Sequence, residues 1–216
     1  MRIRRHEELA SVRLLEEGRV TREGLEALAR LMRRHEEDAP ELPHPRLVHL
    51  IAAISDHFGG RPIVLVSGRR EPGGATRESS RHVSGQATDI RVEGVPHRAV
   101  WDFCRSLAST GCGLYPRSTF VHVDVRERAA QWVDWSRPGA RPTYGNLRGP
   151  WRRACRRIRA GTTPPRACAR ESRSVTRAEA VPIAVELTPG ARELMPRVPS
   201  LAPGEEPEEG EDPGES

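Results

Sequence analysis

The sequence of 216 residues predicts an α+β fold. Two observations lead to this class. Apolar residues recur at helical spacing up to Phe58, and from Pro62 onward β-branched runs and apolar–polar alternation take over, with one helical pattern between them. Helices followed by strands are typical of α+β domains. We therefore expect a small antiparallel sheet that carries the chemistry, N-terminal helices and an irregular C-terminal tail.

The first predicted helix covers residues 4–17, where Leu9, Val12 and Leu15 fall on one stripe. On this basis residues 1–19 form a helical extension that precedes the main domain.

Two further helices are predicted before the first strand. Thr21 suits the N-cap of a helix that runs to about Glu37, with leucines at helical spacing along it. Pro45 suits the first turn of a third helix, which the pair Gly59 and Gly60 ends.

Three strands and one helix are predicted in the second part of the domain. Residues 62–66 form a short β-branched run, which indicates a buried strand. Residues 87–92 alternate in polarity, and residues 120–125 do so most clearly, with three valines on one face. Between these strands, residues 96–109 have a helical pattern.

The net charge of +5 is unevenly distributed, and all 35 basic side chains are Arg. Residues 1–136 hold 21 Arg against 19 acidic residues, so this part is nearly neutral. Residues 137–170 hold 10 Arg and no acidic residue, whereas residues 204–216 hold seven acidic residues and no Arg. We attribute the exclusive use of Arg to coding bias, so it assigns no task to any single Arg.

Charge and proline content divide the chain after the predicted extension. Residues 20–136 are expected to fold as the main domain. Residues 137–170 form an Arg-rich basic segment, and residues 171–216 form a Pro-rich tail with an acidic end. Neither segment has the apolar content of a packed core, so both are expected to be largely irregular.

Several protein classes are excluded by composition. The sequence contains no apolar run of about 18 residues, which a membrane-spanning helix requires. Residues 1–17 lack the apolar stretch of a secretory signal, so the localisation stays open. Four cysteines in this length do not indicate a disulfide scaffold. Unpaired thiols and a Cys104–Cys112 bridge in an oxidising compartment both remain open.

The strand patterns place three potential metal ligands together. In residues 87–92, Asp89 lies on the face opposite to the apolar side chains. In residues 120–125, His122 lies on the face opposite to the valines. His82 precedes Asp89 by seven residues, across Gly85, which permits a tight turn. Two imidazoles and one carboxylate with an open fourth position are typical of a catalytic zinc site.

The residues around these ligands carry a family resemblance. The segments Ser80-Arg-His-Val-Ser-Gly-Gln-Ala-Thr-Asp89 and Phe120-Val-His-Val-Asp124 resemble the zinc D,D-peptidase and hedgehog-like fold. Within it they are most similar to the YcbK-like periplasmic murein endopeptidases. Val66-Ser-Gly-Arg-Arg70 and Gly113-Leu-Tyr-Pro-Arg-Ser118 are similar to further motifs of that family. The resemblance covers roughly residues 20–136.

The resemblance implies hydrolysis of a peptide bond in bacterial peptidoglycan, as an endopeptidase or a carboxypeptidase, with Zn²⁺ as cofactor. It implies that His82, Asp89 and His122 are the zinc ligands. The position of Arg70 matches the family's arginine that contacts the substrate or the developing oxyanion, and Ser80 matches a serine near the substrate. The periplasm or cell envelope is the compartment that the family suggests.

The sequence departs from the family pattern where many relatives carry the catalytic base. Thr119 occupies the position of that carboxylate, and Phe120 occupies a position that is often His. Asp124 lies on the predicted site face and is the best substitute as base, but it could equally orient a metal ligand. Glu71 and Glu78 are weaker candidates. A further departure is Arg69, where the family usually has Tyr.

Two other functions stay open from the sequence alone. One is a non-catalytic zinc-binding domain that binds wall peptides or a protein partner. The other is polyanion binding through residues 148–159, where Arg is concentrated around Trp151 and Ile158.

Overall fold

The computed structural model describes residues 1–73, 76–150 and 186–194, and it confirms the predicted α+β class. The strands in these ranges are β1 (Arg2–Arg5), β2 (Glu8–Ser11), β3 (Leu15–Glu16), β4 (Arg19–Val20), β5 (Ile63–Ser67), β6 (Ala87–Val92), β7 (Thr110–Tyr115), β8 (Phe120–Val125), β9 (Ala130–Asp134), β10 (Tyr144–Asn146) and β11 (Gly149–Pro150). The helices are α1 (Arg22–Met32), α2 (Pro45–His57), α3 (His97–Cys104) and α4 (Pro189–Leu194).

The sheet is larger than the small antiparallel sheet expected from the sequence. It has nine strands in the order β11-β10-β9-β7-β8-β6-β5-β1-β2, while β3 and β4 form a separate hairpin. The β1–β5 and β7–β9 pairs are parallel, and the other pairs are antiparallel. The predicted strands β5, β6 and β8 are therefore neighbours at the centre of a mixed sheet.

The apolar sides of the central strands and the helices form one core. Ile90 and Val92 of β6 are buried there, as are the three valines of β8. The predicted apolar stripes of α1 and α2 supply most of the helical share of the core. Because a strand alternates between its two faces, the site residues of β6 and β8 lie on the other side of the sheet.

The helix predicted for residues 4–17 is wrong. This region forms the β1–β2 hairpin, and β1 adds to the sheet beside β5. Ile3 is fully buried, whereas Leu9, a member of the predicted stripe, is 62% exposed. Pairing with β1 satisfies the backbone groups along the edge of β5 and buries Ile3, so tertiary pairing overrides the local periodicity.

The other three predicted helices lie at the right places, and α2 begins at Pro45 as expected, but α1 and α3 were predicted too long. Thr21 caps α1, and its hydroxyl oxygen accepts the N–H of Gly24 at 3.0 Å. The helix ends at Met32 rather than near Glu37, and α3 ends at Cys104 rather than Ser109.

Ordered structure continues beyond the predicted domain end at residue 136. Strands β10 and β11 extend the sheet within the segment expected to be irregular. Farther along, Leu187 pairs with Val20, and α4 packs against α1. The cluster around Trp151 and the acidic end at residues 204–216 lie outside the described residues, so the proposals about them stay untested.

A disulfide joins Cys104 and Cys112, one of the two states that the sequence left open. It ties the end of α3 to the middle of β7, and both cysteines are fully buried. Cys155 and Cys168 lie outside the described residues. None of the helices described is both long enough and apolar enough to cross a bilayer.

Candidate metal centre

Two of the three potential ligands, Asp89 and His122, lie on one row of paired residues across five strands, and His82 lies in the turn before β6. Strand pairing places Ser67 beside Asp89, Asp89 beside His122, His122 beside Gly113 and Gly113 beside Trp132. Residues paired directly across a sheet project to the same face. The row therefore brings together residues that are far apart in the sequence.

The structure brings His82, Asp89 and His122 within ligand distance of one another. Nε2 of His82 lies 3.1 Å from Nδ1 of His122, and Oδ1 of Asp89 lies 3.5 and 3.0 Å from these two atoms. All three side chains are buried. Ligands held at zinc distances of about 2.0–2.1 Å in a tetrahedron are themselves roughly 3.3 Å apart, so the three atoms fit Zn²⁺.

The outer hydrogen bonds of the two imidazoles determine which nitrogen faces the centre. Nδ1 of His82 lies 2.6 Å from the carbonyl oxygen of Gly68, and Nε2 of His122 lies 3.0 Å from Oδ2 of Asp124. Both partners can only accept, so these nitrogens carry the hydrogens. In the neutral rings, two nitrogen lone pairs and a carboxylate oxygen then face one point. A proton or a metal cation between these atoms relieves their repulsion, and two imidazoles with one carboxylate are a donor set suited to a metal.

The pKa shifts of Asp89 and His122 agree with this arrangement. Burial opposes ionisation of Asp89, but hydrogen bonds from His122 and His82 hold its pKa well below the usual range. Burial also opposes a charge on His122, yet Asp124 and Asp89 raise its pKa. The site therefore favours positive charge between its ligands, as a dication would supply.

Arg70 binds the outer oxygen of the ligand carboxylate. Its Nη2 pairs with Oδ2 of Asp89, and its Nε donates to Oγ of Ser67 at 2.9 Å. Oδ1 of Asp89 is left to face the two imidazoles. The Arg70 side chain remains 39% exposed, so it can also contact a substrate.

Asp124 is fully buried behind His122. In addition to His122, it binds Nε of Arg126 at 2.7 Å and Nη2 of the same residue, and Nε of Arg81 lies 3.6 Å away. Burial opposes its ionisation, but the hydrogen bonds from Arg126 and His122 lower its pKa to about 2. Of the two roles considered for Asp124, this geometry favours orientation of His122, because a base needs a free oxygen and a higher pKa.

Two glycines of β7 make room for this network. A Cβ at Gly111 would collide with Asp124 and lie 2.5 Å from Nε of Arg126. A Cβ at Gly113 would lie 2.5 Å from the indole of Trp132. The indole packs over this glycine, and its ring centre is 5.2 Å from that of His122. The sequence carried a signal for this arrangement, since Gly111 and Gly113 alternate with the apolar residues Cys112 and Leu114 along β7.

The turn that bears His82 is held from several sides. The Ser80 hydroxyl accepts the backbone N–H of His82 at 3.4 Å. Arg69 donates to the carbonyl oxygens of Val83 at 2.9 Å and Leu42 at 3.0 Å. Gly85 has a φ of +68°, in the region that favours glycine. Arg69, at a position where the family usually has Tyr, thus helps to hold the turn that bears His82.

The remaining candidates for a base lie away from the three ligands or are not acidic. Glu71 pairs with Arg34, and its side chain is 71% exposed. Glu78 is exposed as well. Thr119 is an exposed residue of the turn before β8, and Phe120 stacks on Tyr115 with ring centres 4.5 Å apart. The two titratable side chains of β8 are His122 and Asp124, and both are engaged in the hydrogen bonds described above.

Comparison with known families agrees with this site. The model of a peptidase family described as peptidoglycan L,D-endopeptidase MepK matches residues 1–132. The chain belongs to this family. The match starts at residue 1, so it includes β1 to β4. The three candidate metal ligands also lie within the matched part.

Individual MepK proteins match over shorter stretches. The chain is 35% identical to peptidoglycan L,D-endopeptidase MepK of Escherichia coli K12 over 74 residues, which are 30% of this chain and 41% of the relative. It is 41% identical to a Haemophilus influenzae protein named probable peptidoglycan L,D-endopeptidase MepK over 57 residues, 26% of this chain and 31% of the relative. The chain thus covers less than half the length of these relatives. No solved structure gave a significant match.

Proposed function

We propose that this protein is a zinc-dependent peptidoglycan hydrolase that cleaves a peptide bond in murein as an endopeptidase. The single observation that carries the proposal is the convergence of His82 Nε2, Asp89 Oδ1 and His122 Nδ1 at mutual distances of 3.0–3.5 Å. Family membership and the names of the matched relatives support the choice of substrate.

Zinc is the metal proposed because two imidazole nitrogens and one carboxylate oxygen are a common catalytic zinc ligand set with an open fourth position. When bound, zinc would lower the pKa of a water molecule to near 7 and polarise the scissile carbonyl group. This property is important here because β8 carries no free carboxylate that could act as a strong base.

The protein's own residues would then orient the ligands and the substrate. Arg70 holds Asp89 through its outer oxygen and has exposed N–H groups for the substrate carbonyl oxygen. Asp124 fixes the orientation of the His122 ring, and Ser80 fixes the backbone at His82. A contact of Ser80 with the substrate remains part of the proposal.

The compartment proposed is the periplasm or another part of the cell envelope, where peptidoglycan is located. The buried Cys104–Cys112 disulfide supports this, because disulfides persist in oxidising compartments and are rare in the cytoplasm of mesophiles.

The test is digestion of purified murein by the full chain after zinc loading, with and without a chelator. We expect soluble peptide fragments whose appearance stops with the chelator and resumes after zinc is added back. His82→Ala and His122→Ala should each lose stoichiometric zinc and activity, whereas His35→Ala, at an exposed histidine outside the ligand set, should keep both.

Two outcomes would contradict the proposal in different ways. Zinc retained at one equivalent in both His82→Ala and His122→Ala would refute the ligand assignment. Zinc bound by the wild-type protein without any cleavage of murein would instead support the alternative, a non-catalytic domain that binds wall peptides, which pull-down with intact murein would then measure.

A further inference from the structure

We propose that Tyr115 is a further catalytic residue, whose hydroxyl donates a hydrogen bond to the substrate carbonyl oxygen as negative charge develops on it, and that Trp132 positions this hydroxyl. The inference rests on the proposed peptidase function and names a group that the metal-ligand motifs do not include.

The first argument is the position of Tyr115 on the face of the site. Side chains two residues apart on a strand project to the same side, so Tyr115 shares its face with Gly113. Gly113 pairs directly with His122. Since Gly113 has no side chain, the indole of Trp132 packs over it, with its ring centre 5.2 Å from that of His122. Tyr115, which is partly exposed, contacts this indole through its hydroxyl.

The second argument is the direction of the hydrogen bond between these two residues. Nε1 of Trp132 lies 3.2 Å from the hydroxyl oxygen of Tyr115, and an indole nitrogen can only donate. The Tyr115 oxygen is therefore the acceptor, and its own hydrogen is left for another partner. Within the part of the chain that the structure describes, no atom accepts a hydrogen bond from the Tyr115 hydroxyl.

The third argument is that the phenol is held in place at both ends. The Tyr115 ring stacks on Phe120 at 4.5 Å, and its oxygen is held by Trp132, whose indole packs over Gly113. Burial also raises the pKa of Tyr115 to about 12, so the hydroxyl keeps its hydrogen at neutral pH. A fixed, protonated donor is the type of group that stabilises a developing oxyanion.

Tyr115 and Arg70 would approach the substrate from opposite sides of the ligand set. Arg70 lies on the side of Asp89, whereas Tyr115 and Trp132 lie on the far side of His122. In this proposal the Tyr115 O–H bond is not broken. The phenol only shares its hydrogen with the substrate oxygen, so no proton has to be returned in a later step.

The first experiment compares Tyr115→Phe with wild type, using full-length, zinc-loaded protein and a soluble murein peptide. We expect kcat to fall about 100-fold or more, with KM and zinc content unchanged, because one oxyanion donor is lost. The Phe ring keeps the stack on Phe120. Leu9→Ala, at a side chain that is 62% exposed on β2 at the opposite end of the strand order, is the control and should retain full activity.

A second variant tests the positioning role of Trp132. Trp132→Phe removes the N–H group and should lower kcat less than Tyr115→Phe does. The double variant should be no slower than Tyr115→Phe alone, since Trp132 acts through the hydroxyl. Additive losses would contradict this role, and a kcat of Tyr115→Phe within twofold of wild type would overturn the proposal.

A binding measurement separates this inference from the proposed function. A phosphinic peptide that mimics the tetrahedral intermediate is titrated calorimetrically into the zinc-loaded proteins. We expect Tyr115→Phe to bind it at least 10-fold more weakly than wild type. Equal affinity, or no binding by wild type, would overturn the inference. A wild-type protein that binds the phosphinic peptide but does not cleave murein would refute the proposed activity alone.

Discussion

His122 and Asp124 are joined by a hydrogen bond of 3.0 Å between Nε2 and Oδ2, while Nδ1 of the same ring faces Asp89. The two residues are two positions apart on β8, so their side chains emerge on the same face of the sheet. This relationship selects the ring nitrogen that can bind a metal. It also occupies the carboxylate that the sequence offered as the best substitute for a missing base.

We predict that Asp124→Asn lowers zinc affinity by about 10- to 100-fold, the usual effect of removing a partner that orients a ligand. Activity should largely return at saturating zinc, because the substitution leaves the three ligands in place. Zinc titration followed by murein hydrolysis at saturating metal measures both quantities. Unchanged zinc affinity with a kcat more than about 100-fold lower would instead identify Asp124 as the base.

Gly111→Ala should destabilise the fold by about 1–3 kcal/mol, as expected for overpacking. The added Cβ would collide with Asp124 and lie 2.5 Å from Nε of Arg126, so this buried ion pair must shift. Because Asp124 holds His122, zinc affinity should fall as well. Urea unfolding of the apo and zinc forms measures the effect. Gly190→Ala is the control, since its Cβ would meet Arg22 at an ordinary 3.7 Å.

The N-cap of α2 should make stability depend on pH. Nδ1 of His44 accepts the N–H of Arg46 at 3.1 Å, so the neutral ring caps the helix. Burial, and to a lesser degree Arg46, lower the pKa of His44 below its usual 6.5. The unfolded chain then binds the proton more readily, so this contribution is complete above about pH 6.5 and is lost as the pH falls.

His44→Asn supplies a cap that does not titrate. We expect the unfolding free energy of wild type, measured relative to this variant, to be constant above about pH 7 and to decline by roughly 1 kcal/mol at lower pH. The comparison cancels the titration of the metal ligands, which both proteins share. A difference that stays constant from pH 5 to 8 would contradict the assignment.

The Cys104–Cys112 bridge should contribute about 2–3 kcal/mol to stability, the amount expected for a short closed loop. Cys104→Ala/Cys112→Ala should therefore unfold at lower urea concentration than wild type and should no longer respond to reductant. Cys155→Ser/Cys168→Ser is the control and should keep the wild-type response. Equal stability of oxidised and reduced wild-type protein would show that the bridge has no such role.

The sequence was informative about the metal centre because each ligand follows from a local rule. Alternation along two strands places Asp89 and His122 on one face, and Gly85 permits the turn that returns His82 to it. The same kind of rule failed for residues 4–17. There the apolar residues do recur at helical spacing. However, the segment pairs instead with the edge of β5, and that edge exists only in the assembled sheet.

The side chains that surround the three potential ligands could not be predicted from local sequence patterns. Trp132 reaches His122 because β9 lies parallel beside β7, and this pairing depends on strand order rather than on local pattern. Asp124 was ambiguous for the same reason. Its role depends on Arg126, two residues along the chain, and on Arg81, which only the fold brings close to it.

By itself, the sequence determined the α+β class, the three potential ligands and the family to which they point. The tertiary structure decided which nitrogen of each imidazole faces the centre, that Arg70 binds Asp89, and that Trp132 lies beside His122 and binds Tyr115. The physical reason is the range of the interactions. Ligand spacing reflects the short period of a strand, whereas hydrogen-bond partners across nine strands are set by the order and register of the whole sheet.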